Sequence, residues 1–157
     1  MNKLNFDILY LILNKLDFLS KIRLRCISKY MHKLEIHDFY NIPYKYLRLL
    51  NDEILLNYPF IKYLYAFDNH TITNINHMNG LTKLDASLNF GIDNFGIKNV
   101  DSITILYISG NEKITDVNHM NKLVELYASG ESGIENKGII NLKNITKLYV
   151  PNNQKNL

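Results

Sequence analysis

One phrase, L-x-x-L-x-L-x-x-N with Ile, Ala or Val allowed at the leucines, recurs five times between Phe60 and Leu157. Its copies are Ile61-Leu64-Ala66-Asn69, Leu81-Leu84-Ala86-Asn89, Ile103-Leu106-Ile108-Asn111, Leu123-Leu126-Ala128-Glu131 and Ile145-Leu148-Val150-Asn153. A unit of this length cannot bury its apolar side alone and must stack on copies of itself, so the repetition predicts a solenoid. The middle leucines Leu64, Leu84, Leu106, Leu126 and Leu148 are spaced 20, 22, 20 and 22 residues apart, which points to a double unit of 42 residues. Its two kinds of return segment agree: residues 72–79 (ITNINHMN) match 114–121 (ITDVNHMN), and 91–100 (GIDNFGIKNV) match 133–142 (GIENKGIINL).

The phrase is similar to the leucine-rich repeat, in which each unit contributes one short parallel strand to a curved solenoid. By the two-residue alternation of a strand, the leucines point inward and the residues between them face the concave side. The central outward column is then Tyr65, Asp85, Tyr107, Tyr127 and Tyr149. One flanking column is Tyr63, Lys83, Ile105, Glu125 and Lys147; the other is Phe67, Ser87, Ser109, Ser129 and Pro151. With strands about 4.8 Å apart, the tyrosines are expected to form a near-continuous aromatic ladder. Tyrosine offers contact area at low entropic cost together with a hydroxyl, which suits protein binding, and cross-strand pairs also stabilise a sheet. The expected target-binding residues are Tyr63, Tyr65, Phe67, Lys83, Asp85, Tyr107, Tyr127 and Tyr149. Asp85 breaks the column, either as a specificity determinant or as a partner for Lys83 or a tyrosine hydroxyl. The asparagines Asn69, Asn89, Asn111 and Asn153 are expected to bond main-chain groups of adjacent turns. Glu131 stands in for Asn in the fourth copy, which predicts a looser corner there.

Before the repeats the pattern becomes helical. Asn5 or Asp7 can cap a first helix carrying Ile8, Leu9, Leu11, Ile12, Leu13 and Leu16; a second runs from about Ser20 to Ile27, and a third opens near Ser28. The first helix is apolar almost all round, so it must be covered on more than one side. Residues 43–58 read as one amphipathic helix, opened by Pro43 and ended by Pro59, that seals the first repeat. At the other end the fifth copy stops without its return segment, so residues 147–150 are expected to be poorly covered or to pair with another chain.

The run Leu4-Asn5-Phe6-Asp7-Ile8-Leu9, followed by Ile12, Leu16-Asp17, Leu19, Leu24 and Cys26-Ile27-Ser28-Lys29, resembles an F-box over about thirty residues. Tyr30, Met31 and Leu34 fill the end of that pattern; the family's proline after the first leucine is replaced by Asn5. An F-box followed by leucine-rich repeats resembles the substrate-recruiting subunits of cullin-RING (SCF-type) ubiquitin ligases. The resemblance implies an adaptor-binding set of Leu4, Ile8, Ile12, Leu16, Leu19, Leu24, Cys26 and Lys29 that docks on a Skp-type adaptor, with Cys26 buried, while the repeats hold a target protein. It implies no active site, the contribution being proximity of target lysines to a charged enzyme. The high Asn, Ile, Lys and Tyr content also looks like that of proteins encoded by amoeba-infecting giant DNA viruses.

The expected architecture is therefore α+β: residues 1–40 an F-box-like helical segment, 41–59 a linking and capping helix, and 60–157 the solenoid. Net charge is +3, and the basic excess lies in the first part: residues 1–58 carry nine Lys/Arg against six Asp/Glu, residues 59–157 nine of each. Lys21, Arg23, Arg25 and Lys29 form a cluster too short for a nucleic-acid stripe, so no nucleic-acid partner is expected. No leader pattern opens the sequence and no apolar run suits a bilayer, and the single cysteine fits a reducing compartment; a cytoplasmic location, the host cytoplasm for a viral protein, and no membrane partner are expected. No phosphate-cradling loop, acid–base cluster or metal-ligand spacing is evident, so neither enzyme activity nor a cofactor is expected. His77 and His119 read as solvent-exposed loop residues. A ligase receptor should expose some of Leu4, Ile8, Ile12 and Leu19; a plain protein-binding scaffold, the alternative reading, would cover them with the 43–58 helix.

Overall fold

The computed structural model describes residues 6–27 and 43–153. Leu4 and Lys29, the third helix of the F-box pattern and the residues after Asn153 lie outside them. Helix α1 spans Phe6–Leu13 and α2 spans Phe18–Cys26. The Leu16-Asp17 step of the pattern has a local physical role: Asp17, in an extended conformation, accepts the Ser20 amide (2.9 Å) and hydroxyl (3.1 Å) and caps α2. Those donors, the amide first, hold its carboxyl below the usual range.

Residues 43–58 do not form one helix. They make two single-turn helices, α3 (Tyr44–Leu47) and α4 (Asp52–Leu55), separated by Asn51, whose extended backbone and side chain cap α4 through the Ile54 amide at 2.9 Å. The chain breaks there because this stretch is itself a repeat turn. Residues 51–58 occupy the place that 93–100 occupy one double unit later. Asn51 caps α4 as Asp93 caps α5 (Asn94–Ile97), and Leu50, Leu55 and Ile97 are all buried. The expected sealing of the first repeat is achieved by a turn of the solenoid rather than by an amphipathic rod.

Strands β1 (Tyr63–Tyr65), β2 (Lys83–Asp85), β3 (Ile105–Tyr107), β4 (Glu125–Tyr127) and β5 (Lys147–Tyr149) form one parallel sheet in chain order. The register pairs Leu64, Leu84, Leu106, Leu126 and Leu148 in one row. Four of these leucines are fully buried, as are the neighbouring Ile61, Leu81, Ile103, Ala66, Ala86 and Ile108, so a single apolar core runs along the stack. Returning segments close it with Ile72, Ile75, Met78 and their later counterparts Ile114, Val117 and Met120. At the last turn Leu148 is 43% exposed, and all of β5 is open to solvent.

Each turn leaves its strand through a residue with positive φ: Asp68 (51°), Leu88 (51°), Gly110 (68°), Gly130 (64°) and Asn152 (57°). The following asparagine then points into the stack. Asn69 donates to the Leu47 and Leu50 carbonyls (2.6 and 2.9 Å), Asn89 to those of Ala66 and Asn69, and Asn111 to those of Ala86 and Ile92 (3.2 and 3.3 Å). In the fourth turn Glu131 faces solvent, and the buried Ser132 hydroxyl supplies a 3.4 Å acceptor for the Ile134 amide. The histidines also differ from expectation. His77 and His119 are half-buried, each with Nε2 on a carbonyl of the preceding turn.

Candidate functional site

Because the strands lie in register, the outward columns assemble as the alternation predicts: Tyr63, Lys83, Ile105, Glu125 and Lys147 in one row, Tyr65, Asp85, Tyr107, Tyr127 and Tyr149 in the next. The aromatic ladder is nevertheless in two pieces. Tyr107 and Tyr127 stack at 4.5 Å between centroids and 12° between planes, and Tyr149 follows at 6.1 Å, tilted by 52°. Across Asp85, Tyr65 instead stacks on Phe67 of its own chain segment at 5.8 Å. A carboxylate offers no ring face, so the column cannot continue through it.

Two lysines lie over rings of this face. Lys83 Nζ sits 4.7 Å from the Tyr63 ring centre and 5.3 Å from that of Tyr107, bridging the first and third turns. Lys147 lies 4.9 Å from the Tyr127 ring, whose hydroxyl donates to Glu125 at 2.7 Å. Cation and ring quadrupole attract at these distances, by about 0.5–1 kcal/mol at an exposed site, which restrains the rings before any ligand arrives. Asp85 turns its carboxylate to the Ser87 amide (3.0 Å); burial raises its protonation range, against the lowering effect of Ser87 and of the Lys83 charge. The Tyr65 hydroxyl is likewise pushed up, first by burial and then by the Asp85 charge.

Beside the ladder, where the strands run into their left-handed corners, lies an open cleft of about 620 Å³. Tyr65, Phe67, Leu88 and Phe90 form its apolar end; Asp85 and Ser87 lie along it, and Gly110, Gly130 and Glu131 complete the other end. Phe90 is held by His70, whose Nδ1 accepts its amide at 3.2 Å and whose ring lies 5.3 Å from it. Leu88, Phe90 and Glu131 are missed when strand alternation alone is used to find surface residues, since they follow the strand. The corner column itself carries a signal: Asp68, Leu88, Gly110, Gly130 and Asn152 are residue types that tolerate positive φ, with Leu88 the exception.

On the helical segment, Leu9 and Leu13 are buried, whereas Ile8, Leu11 and Ile12 lie on the opposite, open side of α1. Leu16, Leu19 and Leu24 are half-buried. Cys26 is exposed, contrary to the burial that the F-box pattern implies. It borders a cleft between α2 and α4 lined by Ile22, Arg25, Ile54, Asn57 and Tyr58, in which Arg25 stacks over the Tyr58 ring at 5.0 Å. Of α2, Ile22 packs against the solenoid core. Among the described residues no three His, Cys, Asp or Glu side chains converge as metal ligands, and no helix is long and apolar enough to cross a membrane.

No protein-family model and no curated protein matches this chain. Among solved structures it is similar to an internalin, InlF, from Listeria monocytogenes, with a TM-score of 0.51 and 23% identity over 63% of this chain and 31% of the internalin. The chain thus spans under a third of that protein's length. The likeness establishes the fold: a leucine-rich-repeat solenoid of parallel strands.

Proposed function

We propose that this protein is a non-enzymatic recruiter with two docking surfaces: the concave tyrosine–lysine face holds a protein target, and α1 docks on a Skp-type adaptor of a cullin-RING ubiquitin ligase. The observation that carries the second half is the division of α1. Leu9 is 2% exposed and Leu13 is buried with it, while Ile8 and Ile12, one helical turn apart, are 49% and 42% exposed. An apolar stripe kept open on a helix whose other side is already buried favours a partner. The pre-ordered rings of Tyr107 and Tyr127 and the bridging Lys83 support the first half, since little side-chain freedom remains to be lost on binding. Placed between adaptor and target, such a chain acts by raising the local concentration of target lysines near the charged enzyme.

A plain scaffold is the second reading. It is favoured by the Arg25–Tyr58 stacking and by Ile22 packing against the core, which let the N-terminal helices serve as a cap. Purified Skp-type adaptor separates the two in a direct binding titration against the parent and an Ile8→Asp/Ile12→Asp variant. Under the ligase reading the parent binds, and the variant loses binding while keeping the parent's melting temperature. A folded parent without measurable affinity leaves the scaffold reading in first place.

A further inference from the structure

The cleft at the corner of the second turn has a feature that folding alone does not call for. Leu88 holds φ at 51°, where every other member of its column is Gly, Asp or Asn, and its side chain remains 42% exposed. A leucine in the left-handed region is strained, and strain kept in a fold is characteristic of sites that bind. Gly110, the next member, lets Leu88 lean across: a Cβ there would meet the Leu88 methyl at 2.5 Å. Leu88 lines the cleft together with Phe67 and Phe90, and the three make an apolar wall that solvent reaches. Along the cleft from this wall, the charged lining residues among the described ones are Asp85 and Glu131, with no described Lys or Arg. From the second turn to the fourth is two strand spacings, about 10 Å, or roughly three residues of extended chain.

Resting on the reading that the concave side holds a protein, we infer that this cleft takes an extended peptide segment of the target that presents an aliphatic or aromatic residue to Phe67, Leu88 and Phe90 and, within about three positions, a lysine or arginine to the stretch of cleft between Asp85 and Glu131. The apolar side chain supplies the burial; the cation selects, because an acidic residue in the same place would face two carboxylates in a partly desolvated cleft. Asp85 adds a proton linkage. Its carboxyl is raised by burial, and a ligand cation opposes that rise, so affinity falls as pH is lowered through its titration.

The test is an amide-resolved NMR titration with three N-acetylated, C-amidated pentapeptides: Arg-Ser-Phe-Ser-Arg, whose charge symmetry allows either chain direction, Glu-Ser-Phe-Ser-Glu and Arg-Ser-Ser-Ser-Arg. The first should shift Ser87, Leu88, Gly110 and Gly130 saturably, and each of the others should bind at least about tenfold more weakly. Leu88→Gly relieves the φ strain, so it should stay folded and still lose about tenfold for the first peptide. Asp85→Asn with Glu131→Gln should erase the preference for Arg over Glu. Equal response to the Arg and Glu peptides, or parent-like binding by Leu88→Gly, would overturn the inference. Shifts confined to Tyr107, Tyr127 and Tyr149 would overturn it while leaving the concave-face reading standing; no response on either surface would count against both.

Discussion

His119 Nε2 lies 3.0 Å from the Ile97 carbonyl oxygen. A carbonyl only accepts, so the ring donates from Nε2, and the half-buried side chain staples one return segment to the turn before it. His77, one double unit earlier, makes the same bond to Leu55 at 3.1 Å.

Removing either staple deletes one of two bonds to its carbonyl, since Ile97 still accepts the Val100 amide and Leu55 the Tyr58 amide, both at 2.9 Å. His119→Ala is expected to cost about 0.5–1.5 kcal/mol, with His77→Ala similar, whereas Gln, which can place an N–H at a comparable reach, should recover part of it. Denaturant unfolding of the four variants checks this. Alanine variants as stable as the parent would mean that the bond contributes nothing net.

Glycines at the equivalent places Gly96 and Gly138 face the main chain of the preceding turn. A Cβ on Gly96 would meet the Thr73 carbonyl oxygen, and one on Gly138 that of Thr115. Neither backbone can retreat without loosening the bonds from the Ile75 and Val117 amides to the Gly96 and Gly138 carbonyls, so Gly96→Ala and Gly138→Ala should each destabilise by about 1–3 kcal/mol. The equivalent position in the first turn is Ile54, which among the described residues faces Ile22 of α2 and Tyr58 instead of another turn. Ile54→Gly should therefore be folded, with its loss concentrated in the docking of α2, readable as faster amide exchange in residues 18–26.

That substitution also explains how far the repeats could be read from sequence. The phrase ending in Asn recurs because the leucines fill one core and the asparagine serves one corner, so copies from Ile61 onward are plain, as are the outward columns. The turn at 43–58 is disguised: Leu49 and Ile54 stand where Gly91 and Gly96 stand later, since among the described residues no preceding turn crowds them. Without the glycines its apolar residues fit a helical period equally well. The continuous ladder failed at Asp85 for a chemical reason that position alone does not carry, and Leu88 escaped notice because a left-handed corner obeys no alternation.

Asp85 gives the stability of this protein a pH signature. Its folded-state value lies above the unfolded one because burial outweighs the Ser87 donors and Lys83. The fold thus holds a charge at a cost above that value; the cost fades as pH falls through it and is absent below the unfolded value. Asp85→Asn keeps an acceptor for the Ser87 amide and should melt above the parent at neutral pH, the gap closing as pH falls through the acidic range. A gap of constant size, or one of opposite sign, would refute burial as the governing cause.

Tyr107 and Tyr127 are close enough for their coupling to be measured. A double-mutant cycle to alanine should return about 0.5–1.5 kcal/mol for the stacked pair. The same cycle on Tyr65 and Tyr107, which Asp85 separates, should return nearly zero. Comparable couplings in both cycles would mean that the ladder is energetically continuous despite the carboxylate between.

Asp52 carries the repeat geometry of the first turn. Its Oδ1 accepts the Thr73 amide at 2.8 Å and the Asn74 amide at 3.1 Å. Asn94, one double unit on, accepts the Thr115 and Asp116 amides through its own Oδ1 at 2.9 and 3.2 Å. Asn94 does this without charge, while its amide nitrogen donates to the Thr115 hydroxyl at 2.7 Å. If the geometry of the two turns is the same, Asp52→Asn should keep both acceptor bonds, let Thr73 reverse its hydroxyl to accept, and stay within about 0.5 kcal/mol of the parent. Asp52→Ala should lose about 1.5–3 kcal/mol, because a charged acceptor serving two main-chain donors and a hydroxyl disappears. Urea unfolding with a fixed m-value separates these outcomes. An Asp52→Asn variant as damaged as Asp52→Ala would show that the charge, and not the repeat geometry, secures the first turn.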